Sequence, residues 1–242
     1  MTAAAGWYGK LPQLGDFSQR RLPQNFVDHW DAWLQEGITH SRSELGDDWL
    51  ESFLTANVWH FFLSPGVLGT QAWAGIWMPS VDRVGRYFPL TVAAELPPET
   101  MLLTAAPALD AWLRRVEDCA RGMLELDHGA GDLDDSLREL GLPTLNGQAA
   151  PHCAAAAEQL ARQEPVIDLQ SMCGKSFPAK CLAAIASVRL QAAFAGYSLW
   201  WCHGCDGTSG GFAHRGLPMA SFLTKMLVYS PASETTPAIG GI

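Results

Sequence analysis

Apolar positions along the chain change their spacing several times, and each change marks a new element. Phe26, Trp30, Trp33, Leu34 and Ile38 recur every three or four residues, with Asp28, Asp31, Gln35 and Glu36 on the other faces. That spacing predicts an amphipathic helix over about 23–40, docked by its aromatic stripe. Pro23 sits in its first turn, where a missing N–H is harmless. A second short helix is expected from Asp47, with Leu50, Phe53 and Leu54 facing inward and Asn57 ending it.

Strand-like runs surround these helices. Residues 6–11 form a short aromatic run closed by Pro12, and 58–63 (VWHFFL) and 72–78 (AWAGIWM) are β-branched and aromatic segments. The turn-forming residues Ser64, Pro65, Gly66 and Gly69 lie between the latter two, so they are expected to pair antiparallel. A third run over 87–96 should join them, at an edge or only after Pro89, since proline cannot donate to a central ladder. Leu109, Trp112, Val116, Cys119, Ala120 and Met123 then predict a helix opened by Pro107 and ended near His128-Gly129.

From 129 to 151 the chain is acidic and rich in Gly and Pro, which suggests a loose excursion with one short helix over 132–140. Alanine-rich helices are expected over 153–163 and 178–194, strands over 197–202 and 211–214, a last helix over 218–228 and a frayed tail from 231. The alternation suggests one domain over 1–230 and a tail over 231–242. Its class is a layered α/β fold, with a mixed, largely antiparallel sheet of five to seven strands covered by helices on both faces.

Composition adds exclusions. At 242 residues, 48% hydrophobic and 17% charged, the chain can bury a sizeable core and is neither disordered nor a disulfide-stapled scaffold. The formal charge of -9 divides as -5 over 1–100, -7 over 101–168 and +3 over 169–242. An acidic chain without a basic stripe argues against nucleic-acid binding. The first residues carry neither a basic nor an apolar leader pattern, and no run reaches the length of a spanning helix, so a cytoplasmic protein without membrane insertion is expected. The six cysteines (119, 153, 173, 181, 202, 205) stand mostly among Ala and Leu and are expected to be reduced.

Short motifs give little catalytic signal. Cys202-His203-Gly204-Cys205 has redox-motif spacing, but Asp206 to Gly211 is a flexible turn, not the helix start that would lower a thiol's pKa. The same cysteines with His203 or His214 could ligate a metal, yet a structural zinc site needs four convergent donors and no second paired set exists. Gly174-Lys175-Ser176 lacks the earlier glycine of a phosphate loop, since position 169 is Leu. No G-x-S-x-G elbow and no H-E-x-x-H occurs. No catalytic residue, cofactor or metal ligand is therefore assigned, and a thiol-redox or metal-dependent enzyme built on Cys202 and Cys205 stands as the alternative to a binding protein.

Two polar segments stand out. Residues 79–89 (PSVDRVGRYFP) pack Ser80, Asp82, Arg83 and Arg86 into a turn between expected strands. They would form either a charged recognition loop or an internal ion pair that fixes a tight crossover. Gly9-Lys10-Leu11-Pro12, Gly15-Asp16-Phe17 and Arg20-Arg21 make a second punctuated loop, which could share a surface with the first. There, Asp16 could instead cap a turn while Arg20 or Arg21 packs its stem on Trp30.

Taken together, GKLPQLGDF, RRLPQNFVDHWDAWLQ and PSVDRVGRYFPLT resemble the type VI secretion system accessory family TagF, also called ImpM. The similarity runs from Gly6 to about Thr91, including Ser41-Arg42, Trp49, Trp59, Ser64-Pro65-Gly66 and Gly75, and is thinner later, at Ser198-Leu199-Trp200-Trp201 and Gly216-Leu217-Pro218 with Phe222. The resemblance implies a three-layer α/β/α sandwich and a cytoplasmic, non-enzymatic regulator that represses the secretion machine after translation by binding its forkhead-associated scaffold protein. Asp16, Arg20, Ser80, Asp82, Arg83 and Arg86 are the candidate partner-binding residues. Two departures are His60, where the family would carry arginine, and Cys202-His203-Gly204-Cys205, where it would carry a short polar turn.

Overall fold

The computed structural model describes residues 4–97, 100, 102–124, 129–145, 162, 179–204 and 206–231. Among these residues, seven strands form one sheet: β1 (Gly6–Gly9), β2 (Ser18–Arg20), β3 (Trp59–Leu63), β4 (Ala72–Met78), β5 (Leu90–Leu96), β6 (Tyr197–His203) and β7 (Ser209–Arg215). The order across the sheet is β2-β1-β5-β4-β3-β6-β7. Every neighbouring pair is antiparallel, so the expected mixed sheet is corrected to an antiparallel one. The connection from β5 to β6 returns beyond β3, three positions away, so these two strands do not pair as in a βαβ unit.

The helices among the described residues are α1 (Gln24–Leu45), α2 (Trp49–Thr55), α3 (Leu102–Gly122), α4 (Ala130–Leu140), α5 (Ala179–Ala193) and α6 (Ala220–Val228), with a 3-10 turn Gly46–Asp48 before α2. Pro23 is the N-cap of α1, and its carbonyl accepts from the Phe26 and Val27 amides. The stripe read from the sequence is buried as expected, and α1 runs one turn further than predicted. In α2, by contrast, Trp49 and Phe53 face inward while Leu50 and Leu54 are exposed. The 3-10 turn rotates the helix so that Trp49 reaches Ser41, its indole N–H donating to the hydroxyl at 2.9 Å.

Strand alternation sorts the core into two clusters. One joins Trp59, Phe61, Leu63, Trp73, Trp77 and Trp200 to Trp30, Trp33 and Phe53 and to Phe222, Leu223 and Met226 of α6. The other joins Phe62, Ala74, Ile76, Val92 and Ala94 to Leu109, Trp112, Leu113 and Val116 of α3 and Leu133 and Leu137 of α4. Three indoles of the first cluster are anchored: Trp30 donates to Thr91 Oγ1 at 2.8 Å, Trp33 to the Pro218 carbonyl at 2.7 Å and Trp59 to the Met226 carbonyl at 3.1 Å. Gly37 lets α6 approach α1, because a Cβ there would come within 2.8 Å of the Leu223 side chain.

Other boundaries differ from the pattern in part. Pro107 lies inside α3 rather than opening it, removing one backbone hydrogen bond from the helix. Strand β5 starts after Pro89 and is central, held between β1 and β4. The short helix expected over 132–140 is α4, fixed by buried Leu133 and Leu137 and by an ion pair between Arg21 and Asp134. Arg21 therefore commits its guanidinium to Asp134 and the Ala5 carbonyl instead of packing on Trp30. The helix expected over 153–163 and the tail expected over 231–242 lie, apart from residues 162 and 231, outside the described residues.

Candidate functional site

The first candidate is the turn between β4 and β5. Asp82 is its centre, with a side chain shielded from solvent. It accepts from Lys10 Nζ at 3.0 Å and Arg86 Nε at 2.7 Å, and from the Val84 and Arg86 amides at 3.0 and 2.9 Å. Burial alone would raise its pKa; the hydrogen bonds from the Arg86 amide, Lys10, the Arg86 side chain and Val84 outweigh it and hold the carboxyl well below its ordinary range. Gly85, at φ 83°, makes the reversal that returns both amides to one carboxylate.

The turn is also bolted to the loop after β1. Ser80 Oγ donates to the Lys10 carbonyl at 2.7 Å, the Arg83 amide to the Leu14 carbonyl at 2.9 Å, and Arg86 reaches the Gly15 carbonyl. Lys10 lies 5.0 Å from the centre of the Phe17 ring, which packs edge-on against Phe88. The two punctuated segments thus share one surface. Within it, Ser80 and Asp82 are buried internal ties, and Arg86 is an internal tie whose side chain stays half exposed.

Asp16 and Arg83 are exposed on this surface. Asp16 accepts from the Phe17 amide at 2.8 Å and stands 3.9 Å from Arg86. Arg20 is exposed on the edge strand β2, opposite Trp7. Phe17 and Val84 present apolar surface beside these charges. This charged apex is a tied turn whose outer face combines exposed charges with an apolar component.

A second cluster escaped the sequence reading. His60 is completely buried on β3, paired in register with Trp201, so Trp201 and His203 lie on its side of the sheet. Across from them, α3 presents Asp110, Arg114, Glu117 and Arg121 at three- and four-residue spacing. His60 Nε2 lies 2.7 Å from Glu117 Oε2, and Asp110 Oδ1 accepts from Trp201 Nε1 at 2.9 Å and from His203 Nε2 at 3.2 Å. Arg114 bonds Asp110 Oδ2 at 3.0 Å and His203 Nδ1 at 3.1 Å.

Burial pushes the His203 imidazole down, with Arg114 and His60 acting in the same direction against Asp110. Burial would raise Asp110 and Glu117, but hydrogen bonds outweigh it: those from Arg114 and Trp201 lower the first, and those from His60 and Arg121 the second. The available signal was His60 itself, a lone polar residue in an otherwise apolar strand. Its partners at 110, 117 and 203 are too distant in sequence to form a recognisable spacing.

The cysteine motif is split by the sheet. Cys202 is a free thiol at the end of β6, fully buried with Trp59 and Trp200 on the face opposite His203. It is therefore a core residue rather than part of an exposed hairpin tip. Burial and the Glu117 charge push its pKa up to about 12, away from the thiolate that redox chemistry needs. Cys205 lies outside the described residues. Cys119 is half-buried, and burial raises its pKa as well.

Comparison with known proteins agrees with the N-terminal geometry. Residues 6–140 match the family model described as TagF N-terminal domain, type VI secretion system-associated. The crystal structure of PA0076 from Pseudomonas aeruginosa PAO1 is similar over 99% of this chain and 100% of that one, at 33% identity and a TM-score of 0.74. Among curated proteins, no sequence matches. The family match spans more than half of the chain, including both loops and all of the first five strands, and the chain belongs to the TagF family of type VI secretion system-associated proteins.

Proposed function

We propose that this protein is a cytoplasmic, non-enzymatic repressor of the type VI secretion system, acting after translation by binding the forkhead-associated scaffold component. The observation that carries the reading is the family match over 6–140, which contains the whole charged apex. The apex supplies a mode of contact: Asp82 and its ties make the surface rigid before binding, so little ordering entropy opposes association. Arg83 is an exposed charge of the apex, with Asp16 and the outer part of Arg86 on the same surface, and Arg20 lies on the adjoining edge strand β2.

The same reading takes residues 1–230 as one three-layer α/β/α domain. One sheet draws strands from 6–20 and 197–215, and its two apolar clusters recruit different helices. No helix among the described residues is long and apolar enough to cross a membrane. The rival reading, a thiol enzyme at Cys202 and Cys205, finds no support in the raised pKa of Cys202 or in its aromatic surroundings.

Affinity capture of the scaffold component, paired with a secretion assay on a deletion strain, tests the proposal. The expected result is specific capture by the wild-type chain and increased secretion without it. Unchanged secretion together with no captured secretion component would refute the repressor reading.

A further inference from the structure

We propose that His60, Asp110 and His203 form a binding site for one divalent transition-metal ion of the zinc(II) type, with Glu117 supporting it from behind His60. Each of the three side chains offers one donor atom, and these donors lie within 4.8 Å of one another. They come from three separate elements, β3, α3 and β6, so an ion there would pin the helix to two neighbouring strands.

The independent sign is an unpaired nitrogen. His60 is fully buried, and its Nδ1 has no hydrogen-bond partner. Its Nε2 faces the Glu117 carboxylate at 2.7 Å. An ionised carboxylate only accepts, so in the neutral ring the proton sits on Nε2 and the lone pair on Nδ1. A buried acceptor without a donor is costly, and an imidazole whose other nitrogen donates to a carboxylate is the usual arrangement behind a metal-ligating histidine.

The remaining donors face each other: His203 Nε2 and Asp110 Oδ1 are 3.2 Å apart. An ion replaces the proton between them. His203 stays neutral as its proton moves from Nε2 to Nδ1, where Ser209 Oγ lies 2.7 Å away and accepts it. Arg114 must then leave His203 Nδ1; its side chain is half exposed and can turn outward while Asp110 Oδ2 remains outside the coordination sphere. Two imidazoles and one carboxylate match zinc's preference for nitrogen and oxygen donors at about 2.0–2.2 Å, with water as the fourth ligand. The His203–Asp110 separation already suits tetrahedral geometry, and the His60 donor must close to roughly 3.3 Å from each of them, which side-chain rotation supplies.

Cobalt(II) titration of the EDTA-treated full chain, followed by zinc(II) competition, tests the site. The expected result is one equivalent of cobalt with visible d–d bands, no sulfur-to-metal charge-transfer band, and displacement by zinc. His203→Gln should weaken binding at least tenfold and abolish the rise in melting temperature that zinc gives the wild type. His60→Leu keeps the buried position apolar and must give the same loss, which covers the case in which His203→Gln fails to fold. A charge-transfer band would assign the metal to cysteines and overturn the proposal. So would bands that survive in a folded variant, or wild-type binding weaker than about 100 μM.

Discussion

The charged turn after β4 and the polar cluster under α3 contain similar residue types but differ in how completely they are satisfied. Around Asp82, two cations and two amides converge on one shielded carboxylate. Around His60, a chain of hydrogen bonds ends on a buried nitrogen without a partner. The first arrangement has the character of a structural tie, since every buried lone pair that matters is occupied. The second leaves one coordination position unused, and such incompleteness is what points toward a ligand.

The strongest test of this contrast is Asp82→Asn. It keeps the volume but removes the charge that holds Lys10 and Arg86, leaving Lys10 buried opposite an amide. The melting temperature at neutral pH should fall by roughly 10 °C. A shift within about 2 °C would show that the turn is held by its backbone bonds alone.

Acid should erase that difference. Because the folded pKa of Asp82 is lowered, its stabilisation is complete above the ordinary carboxylate value and is lost as the pH falls through the folded value. Thermal melts of wild type and Asp82→Asn should therefore differ by a constant amount near neutrality and draw together as the pH falls below about 4. Curves that stay parallel throughout the acid range would assign the stabilisation to packing instead.

At His60 the effect should be smaller. His60→Leu removes the orphan nitrogen and its desolvation cost, and Glu117 keeps Arg121 at 2.7 Å and some access to water. Only one partner of the contact is lost, and because the remaining carboxylate stays paired and partly solvated, metal-free His60→Leu should melt within about 3 °C of wild type. A large loss would show that the Glu117 contact, and not the surrounding packing, holds α3 against the sheet.

The same contrast explains what was legible in the sequence. The periodic stripe of α1, the β3-β4 hairpin and the start of β5 after Pro89 are local patterns and were readable. The pairing of β5 with β1 and of β3 with β6 depends on long-range register, which no spacing records. Leu50 and Leu54 misled because a 3-10 turn reset the helical phase before α2. The charged turn was visible because Ser80, Asp82, Arg83 and Arg86 are close together in the chain, although their division into inward ties and outward charges required coordinates. The histidine cluster was hidden because folding brings together residues 60, 110 and 203.

That division yields the smallest expected stability effect and the sharpest functional one. Arg83 is exposed and its amide, which survives substitution, makes the bond to Leu14. Arg83→Ala should therefore leave the melting temperature within about 2 °C of wild type. If Arg83 is buried and hydrogen-bonded in the complex, its loss should weaken scaffold capture by about 2 to 5 kcal/mol. Arg86→Ala should behave differently, lowering both melting temperature and capture, because its guanidinium bonds Asp82 and the Gly15 carbonyl. Measuring both variants by thermal melting and quantitative capture separates the two roles: a binding loss confined to Arg86→Ala that tracks folded protein would make the turn purely structural, whereas a loss in fully stable Arg83→Ala would make its outer face the contact.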